Sequence, residues 1–200
     1  MKISLILASA SPRRKELLTH LLKDFSDIDP SFSIIPAHID ESLISGESPE
    51  DYVTRLAREK AAAIANKISP SLTQTVILAA DTSVVIENQI LGKPQNDNDA
   101  FAMLTKLSGQ THSVITGYAL DTICGFVKTK VSFRKLSDLE IQNYIATGEP
   151  QDKAGAYAIQ GGATSFVDHI EGSFDNVVGL PTERLRVELT NLLAKRVKSR

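Results

Sequence analysis

Two serines, a proline and two arginines follow directly on an apolar run near the start of the chain: Leu5-Ile6-Leu7-Ala8, then Ser9-Ala10-Ser11-Pro12-Arg13-Arg14. Ser11 is a natural N-cap, and Pro12, which has no N–H, suits the first position of a helix. The free N–H groups and dipole of a helix start favour an anion. Two hydroxyls and two guanidiniums beside that start would make a phosphate cradle. The same residues also describe a well-capped surface helix with solvated arginines, and local geometry does not choose between the two.

Further along, single residues break the pattern around them. Val53, Leu56, Ala57 and Ile64 form one apolar stripe at helical spacing, and Lys60 falls in its middle, while Arg55, Arg58 and Glu59 fall on the outer face. A lysine there either snorkels to water or meets an anion. Asp81 ends the wholly apolar run Val76-Ile77-Leu78-Ala79-Ala80. A carboxylate in that position needs a cation, a metal or a turn to cap, and the end of a central strand is where α/β proteins place chemistry. Lys93, between Gly92 and Pro94, is either a held cation or an exposed turn lysine. Glu41, beside Asp40 in a polar loop, could serve a divalent ion, which takes one or two carboxylates plus phosphate oxygens. Fixed cations, a helix N-terminus and one or two carboxylates together suit a phosphoanhydride bound with Mg²⁺.

Other chemistries are excluded by what is missing. The chain has no G-x-x-x-x-G-K-[ST] loop, no G-x-G-x-x-G after a strand, no H-E-x-x-H helix and no G-x-S-x-G elbow. His20, His38, His112 and His169 lack ligand spacing, and His112 reads as structural. Cys124, the one cysteine, rules out an internal disulfide framework and a cysteine-rich zinc site.

The elements that must position these residues alternate between strand and helix. Strands are expected at 2–8, 32–36, 76–80 and 84–86, the last paired with 90–91 across a Glu87-Asn88-Gln89 turn. Helices are expected at 12–24, from Pro49 to about Lys67, and from about Asp97 to Leu107 with Gly109 as the C′ residue. Beyond lie strands at 112–120 and 127–133. In the latter Val127, Thr129, Val131 and Phe133 face one way and Lys128, Lys130, Ser132 and Arg134 the other. Ser137-Asp138-Leu139-Glu140 is a capping box opening a helix that ends near Gly148. A glycine-rich loop over 155–162 precedes a strand at 165–170, and Pro181 starts the last helix.

With 200 residues, 42% hydrophobic and a net charge of -2, the chain suits one α/β domain, possessing no global field for nucleic acid. No stretch reaches membrane-spanning length, and a cytoplasmic protein is expected.

Taken in order, the motifs resemble the Maf family of nucleotide pyrophosphatases. They are Ser9-Ala10-Ser11-Pro12-Arg13-Arg14, Arg58-Glu59-Lys60-Ala61, Ala80-Asp81-Thr82, Gly92-Lys93-Pro94, Leu107-Ser108-Gly109, the run from Asp152 to Gly161, and Val178-Gly179-Leu180-Pro181. The resemblance implies a house-cleaning hydrolase that cleaves nucleoside triphosphates between the α- and β-phosphates, releasing pyrophosphate. Asp81 matches the catalytic carboxylate that takes the proton of the attacking water. Ser9, Ser11, Arg14, Lys60 and Lys93 match phosphate-contacting positions. Glu41 matches a metal-associated acid which, with Asp81, would hold Mg²⁺ or Mn²⁺. Arg13, Thr82 and Gln160 resemble the branch that prefers dTTP and UTP, not the 7-methyl-GTP branch. Ala158 departs from that branch's usual glycine, so a need for positive φ there would shift specificity.

The implied fold is a single domain over 1–200, a mixed twisted sheet in an elongated two-lobed structure with a central cleft, similar to inosine triphosphate pyrophosphatases. A homodimer is also implied, while the net charge and the lack of a long apolar stretch lead to no expected nucleic-acid or membrane partner. Two alternatives stay open: a nucleotide-binding regulator of septum formation without turnover, and a pyrophosphatase that prefers 7-methyl-GTP or ITP.

Overall fold

In a computed structural model, which describes residues 3–68 and 75–198, the first apolar run becomes strand β1 (Ser4–Leu7). Helix α1 (Pro12–Leu22) starts at its proline, and Ser11 Oγ accepts the Arg14 N–H at 3.4 Å. After β2 (Ser33–Ile34), helix α2 (Pro49–Ala65) is capped in the same way by Ser48. Then follow β3 (Thr75–Ile86), β4 (Gln89–Leu91), α3 (Asp97–Leu107), β5 (Thr111–Leu120) and β6 (Ile123–Phe133). The chain continues through α4 (Asp138–Ile145), β7 (Val167–Glu171), α5 (Phe174–Val178) and α6 (Thr182–Lys198). The strands pair in the order β2-β1-β3-β5-β6-β7, with β4 on β3. β1 is parallel to β2 and β3, whereas β3–β4 and β6–β7 are antiparallel, so the expected mixed α/β sheet is what forms.

The chain divides into two compact units. The first comprises Met1–Asp81, Thr116–Val127 and Gly179–Arg200; the second comprises Thr82–Ile115 and Lys128–Val178.

In the first unit both faces of β1 and β3 are covered, which is why they read as unbroken apolar runs. Leu5, Leu7, Val76, Leu78 and Ala80 pack with Leu18, Leu21 and Leu22 of α1 and Leu185, Leu189 and Leu192 of α6. Ile6, Ala8, Ile77 and Ala79 belong to the other cluster, with Ile64 and Ala61 of α2. Strand alternation therefore sends residues 77, 79 and 81 toward α2. Against α2 the sheet comes very close: a Cβ on Gly117 would lie 2.2 Å from the Val53 carbonyl oxygen.

The second unit holds α3, α4, α5, β4, β7 and the adjoining parts of β3, β5 and β6. Its rings stack edge to face: His112 on Phe133 and Tyr157, Phe133 on Phe166, and Phe166 on Tyr144. The Ser137 capping box and the left-handed Gly109 form as the sequence predicts, and Gly148, near the end of α4, is left-handed as well. So does the alternation of β6, with Thr129, Val131 and Phe133 buried.

Several boundaries are corrected. β3 does not stop at Ala80 but runs on through Ile86, so Asp81 lies within a strand and not at its end. Pairing with β1, β5 and then β4 carries the strand across the polar stretch 81–83. The strand expected over 165–170 starts at Val167, because Gly162–Phe166 winds into a 3₁₀ helix. The positive-φ residues of the glycine-rich loop are Gly155 and Ala156, not Ala158.

Candidate active site

Asp81 is brought to α2 by the alternation of β3, and Lys60 by its place in the buried stripe of Val53, Leu56, Ala57 and Ile64. The two meet: Lys60 Nζ donates to Asp81 Oδ1 at 2.6 Å, with the side chains only 10% and 12% exposed. Lys60 does not snorkel. The same ammonium reaches Glu41 Oε1 at 2.6 Å, so two carboxylates share one cation. A buried charge of either sign would be costly alone, and the pair satisfies both.

The helix start of α1 lies in the same unit. Ser9, itself buried, accepts at Oγ from Arg14 Nη1 at 3.2 Å and from the Ser11 N–H at 3.3 Å. Arg14 Nε donates to the Gly179 carbonyl at 2.8 Å, which fixes the guanidinium from a second direction. Burial pulls the Arg14 pKa below its ordinary value, the charge of Asp81 opposes this, Arg13 adds to the lowering and Glu41 opposes it. An arginine stays cationic under such shifts. Arg13, next to Arg14 in the chain, is a second cation and is half-buried.

The first unit therefore contains Ser9, Ser11, Arg13 and Arg14 at the start of α1, and Glu41 and Asp81 on the Lys60 ammonium. Thr82, Lys93 and Gln160 belong to the second unit. Thr82 follows Asp81 on β3 and is half-buried, whereas Lys93 and Gln160 are exposed. The Gly92 carbonyl beside Lys93 accepts the Gly155 N–H at 2.9 Å, and the Ala158 N–H donates to Tyr144 Oη at 3.0 Å, which ties down the loop carrying Gln160.

Three residues near the site carry no expectation of this kind from the sequence. Tyr52 Oη donates to the Glu41 carbonyl at 2.8 Å. Burial raises the pKa of that phenol, with the charges of Asp81 and Glu41 adding to the effect. Arg55, placed by periodicity on the outer face, is instead largely covered and pairs with Glu47 through Nε at 2.6 Å and Nη2 at 2.8 Å. Its bond holds the Glu47 carboxyl below the ordinary carboxylate range. The hint in the sequence is the one-turn spacing of Tyr52 and Arg55 on a helix that also carries Lys60. The Gly179 carbonyl is the other omission, because a backbone acceptor leaves no side-chain signal.

Comparison with known proteins shows the family of the chain. The sequence description of the family named Maf-like protein matches residues 4–192. The chain belongs to the Maf family. A dTTP/UTP pyrophosphatase of Geotalea uraniireducens is 50% identical over 186 residues, covering 90% of each chain. One of Shewanella oneidensis is 48% identical over 188 residues, covering 92% of this chain and 95% of the relative. A third, of Caldicellulosiruptor bescii, is 46% identical over 194 residues and covers 94% of both.

A divalent ion at a Maf site would need oxygen donors. Among the described residues no three His, Cys, Asp or Glu side chains cluster to hold one. The convergence of Asp81 and Glu41 on a single ammonium does suit a hard cation that draws its remaining ligands from phosphate and water.

Proposed function

We propose that this Maf protein is a nucleoside triphosphate pyrophosphatase that hydrolyses dTTP and UTP to the monophosphate and pyrophosphate. The observation that carries the reading is the Lys60 ammonium bridging Asp81 and Glu41 in the unit where Arg14 is held beside the start of α1. The three relatives named above, at 46–50% identity, support the choice of nucleotide.

Asp81 serves as the general base. As a water oxygen forms its bond to the α-phosphorus, its proton passes to the carboxylate, and the bond from that phosphorus to the α–β bridging oxygen breaks. The departing pyrophosphate gains charge. Arg14, Lys60 and the N–H groups of the α1 start would stabilise that charge. Ser9 keeps Arg14 aimed, and Ser11 caps the helix that supplies the N–H groups. Asp81 and Glu41 would hold Mg²⁺ or Mn²⁺, which when bound neutralises charge on the phosphates. We assign Arg13, Thr82 and Gln160 to choice of base and Lys93 to phosphate contact, following the family. We also read the protein as a cytoplasmic homodimer, a state that light scattering on the purified chain would check.

The test is pyrophosphate release from dTTP, UTP, CTP, 7-methyl-GTP and ITP with Mg²⁺ or Mn²⁺, run beside Asp81→Asn. Release from dTTP and UTP should fall by about 10²–10⁴-fold in the variant, with nucleotide binding retained. A variant with near wild-type turnover would remove Asp81 from its role. A preference for 7-methyl-GTP or ITP would move the argument to Arg13 and Gln160. Binding without release from any nucleotide would make the protein a regulator.

A further inference from the structure

Glu41 poses a mechanical problem. Its carboxylate sits 2.6 Å from Lys60 Nζ, yet the side chain is 49% exposed and the backbone from 36 to 48 forms no helix or strand. An exposed side chain on an irregular segment ordinarily samples several rotamers, and holding one costs entropy. Something must fix the segment if the carboxylate is to stay at its partner.

Two consecutive carbonyls of that segment are gripped from α2. The Glu41 carbonyl accepts from Tyr52 Oη at 2.8 Å, and the Ser42 carbonyl accepts from Arg55 Nη2 at 3.0 Å. Tyr52 and Arg55 lie three residues apart and so on one face of the helix, with the guanidinium 5.5 Å from the tyrosine ring centroid. Arg55 is itself immobilised. Glu47 takes its Nε and Nη2, and Glu59, four residues on, accepts from Nη1 at 3.3 Å. Glu47 lies on the far side of the same segment, so the guanidinium fork closes the loop across its base. Asp40 completes the arrangement by accepting the Ser42 N–H at 2.9 Å and its hydroxyl at 2.6 Å. Lys60 rides on the same rigid helix as the clamp. The distance from clamp to cation is therefore set by α2 and not by the loop.

We propose that Tyr52, Arg55 and Glu47 are positioning residues: they clamp the 40–47 segment to α2 so that the Glu41 carboxylate is held against Lys60. This rests on the reading of Glu41 as part of the reacting site. A lysine at 55 keeps the charge but loses the planar fork that joins Glu47 to the Ser42 carbonyl. A phenylalanine at 52 removes a single hydrogen bond and nothing else.

The experiment combines amide hydrogen exchange with a double-mutant cycle. Arg55→Lys and Tyr52→Phe should each speed exchange across 40–47 while leaving α6 protected. In wild-type background each should lower kcat for dTTP by about tenfold, a coupling of ordinary size for residues in one network, with a smaller change in KM. Combined with Glu41→Gln, neither should lower kcat further by more than about twofold. Unchanged exchange would overturn the clamp, and so would losses that multiply in the double variants. A fully active Glu41→Gln would fail at a different point: it would remove Glu41 from the site whatever the exchange shows. Tyr52→Phe keeps the test sound if Arg55→Lys does not fold.

Discussion

Lys60 satisfies two carboxylates at once, so the loss of its charge is felt twice. Lys60→Met leaves Asp81 buried without its ammonium, an uncompensated charge of the kind that costs about 3–5 kcal/mol. The cost should fall at the low end, because Arg14 still feels Asp81. Urea unfolding checks this, and Lys60→Met combined with Asp81→Leu should recover most of the loss. For ligands, Lys60→Ala should weaken triphosphate binding more than monophosphate binding, measured by calorimetry; equal weakening would take Lys60 off the β- and γ-phosphates. Residues such as Lys60 and Asp81 are visible in a sequence because they violate the pattern of their own element. Arg55 is not. Periodicity puts it on the outer face, where a charge breaks no pattern, and its partners Glu47 and Ser42 come from a segment whose path no local rule dictates.

At the scale of elements, Gly117 lies against the backbone of α2. A methyl group there would press into the Val53 carbonyl, which is backbone and cannot swing aside. Gly117→Ala should destabilise by more than about 3 kcal/mol, read as a lowered thermal midpoint or loss of soluble protein. Ser11→Ala is milder: it removes one cap from α1 and should cost about 1 kcal/mol by the same measurement. The helix starts were legible because proline and serine at the N-terminus act locally, as at Ser11-Pro12 and Ser48-Pro49. The continuity of β3 was not. Asp81, Thr82 and Ser83 look like an interruption, and what overrides them is hydrogen bonding to neighbouring strands far away in sequence. Ser165 and Phe166 mislead for the opposite reason: they suit extended backbone but follow two glycines into a tight turn.

For the whole molecule, acid sensitivity should come first from His112. It is 2% exposed, its Nε2 shares a hydrogen bond with Tyr157 at 2.8 Å, and burial pushes its pKa down to about 4. The unfolded chain takes up this proton near pH 6.5 and the folded chain not until about 4. Stability should therefore decline as pH falls through that window, by up to roughly 3 kcal/mol. Thermal melts from pH 7.5 to 4 should show the slope, and His112→Phe should flatten it. Glu140, whose bond from Arg134 pulls its pKa down to about 2, adds its own loss only below about 4.5. The interleaving of the two units has a consequence for biosynthesis. The first unit needs Leu185, Leu189 and Leu192 to close its core over Leu5, Leu18 and Leu21, and needs the Gly179 carbonyl to seat Arg14. Every residue of the second unit emerges from the ribosome before these do. The cradle at Ser9–Arg14 is thus translated first and finished last. A stop codon after Val178 should yield a chain with every candidate site side chain and no assembled site.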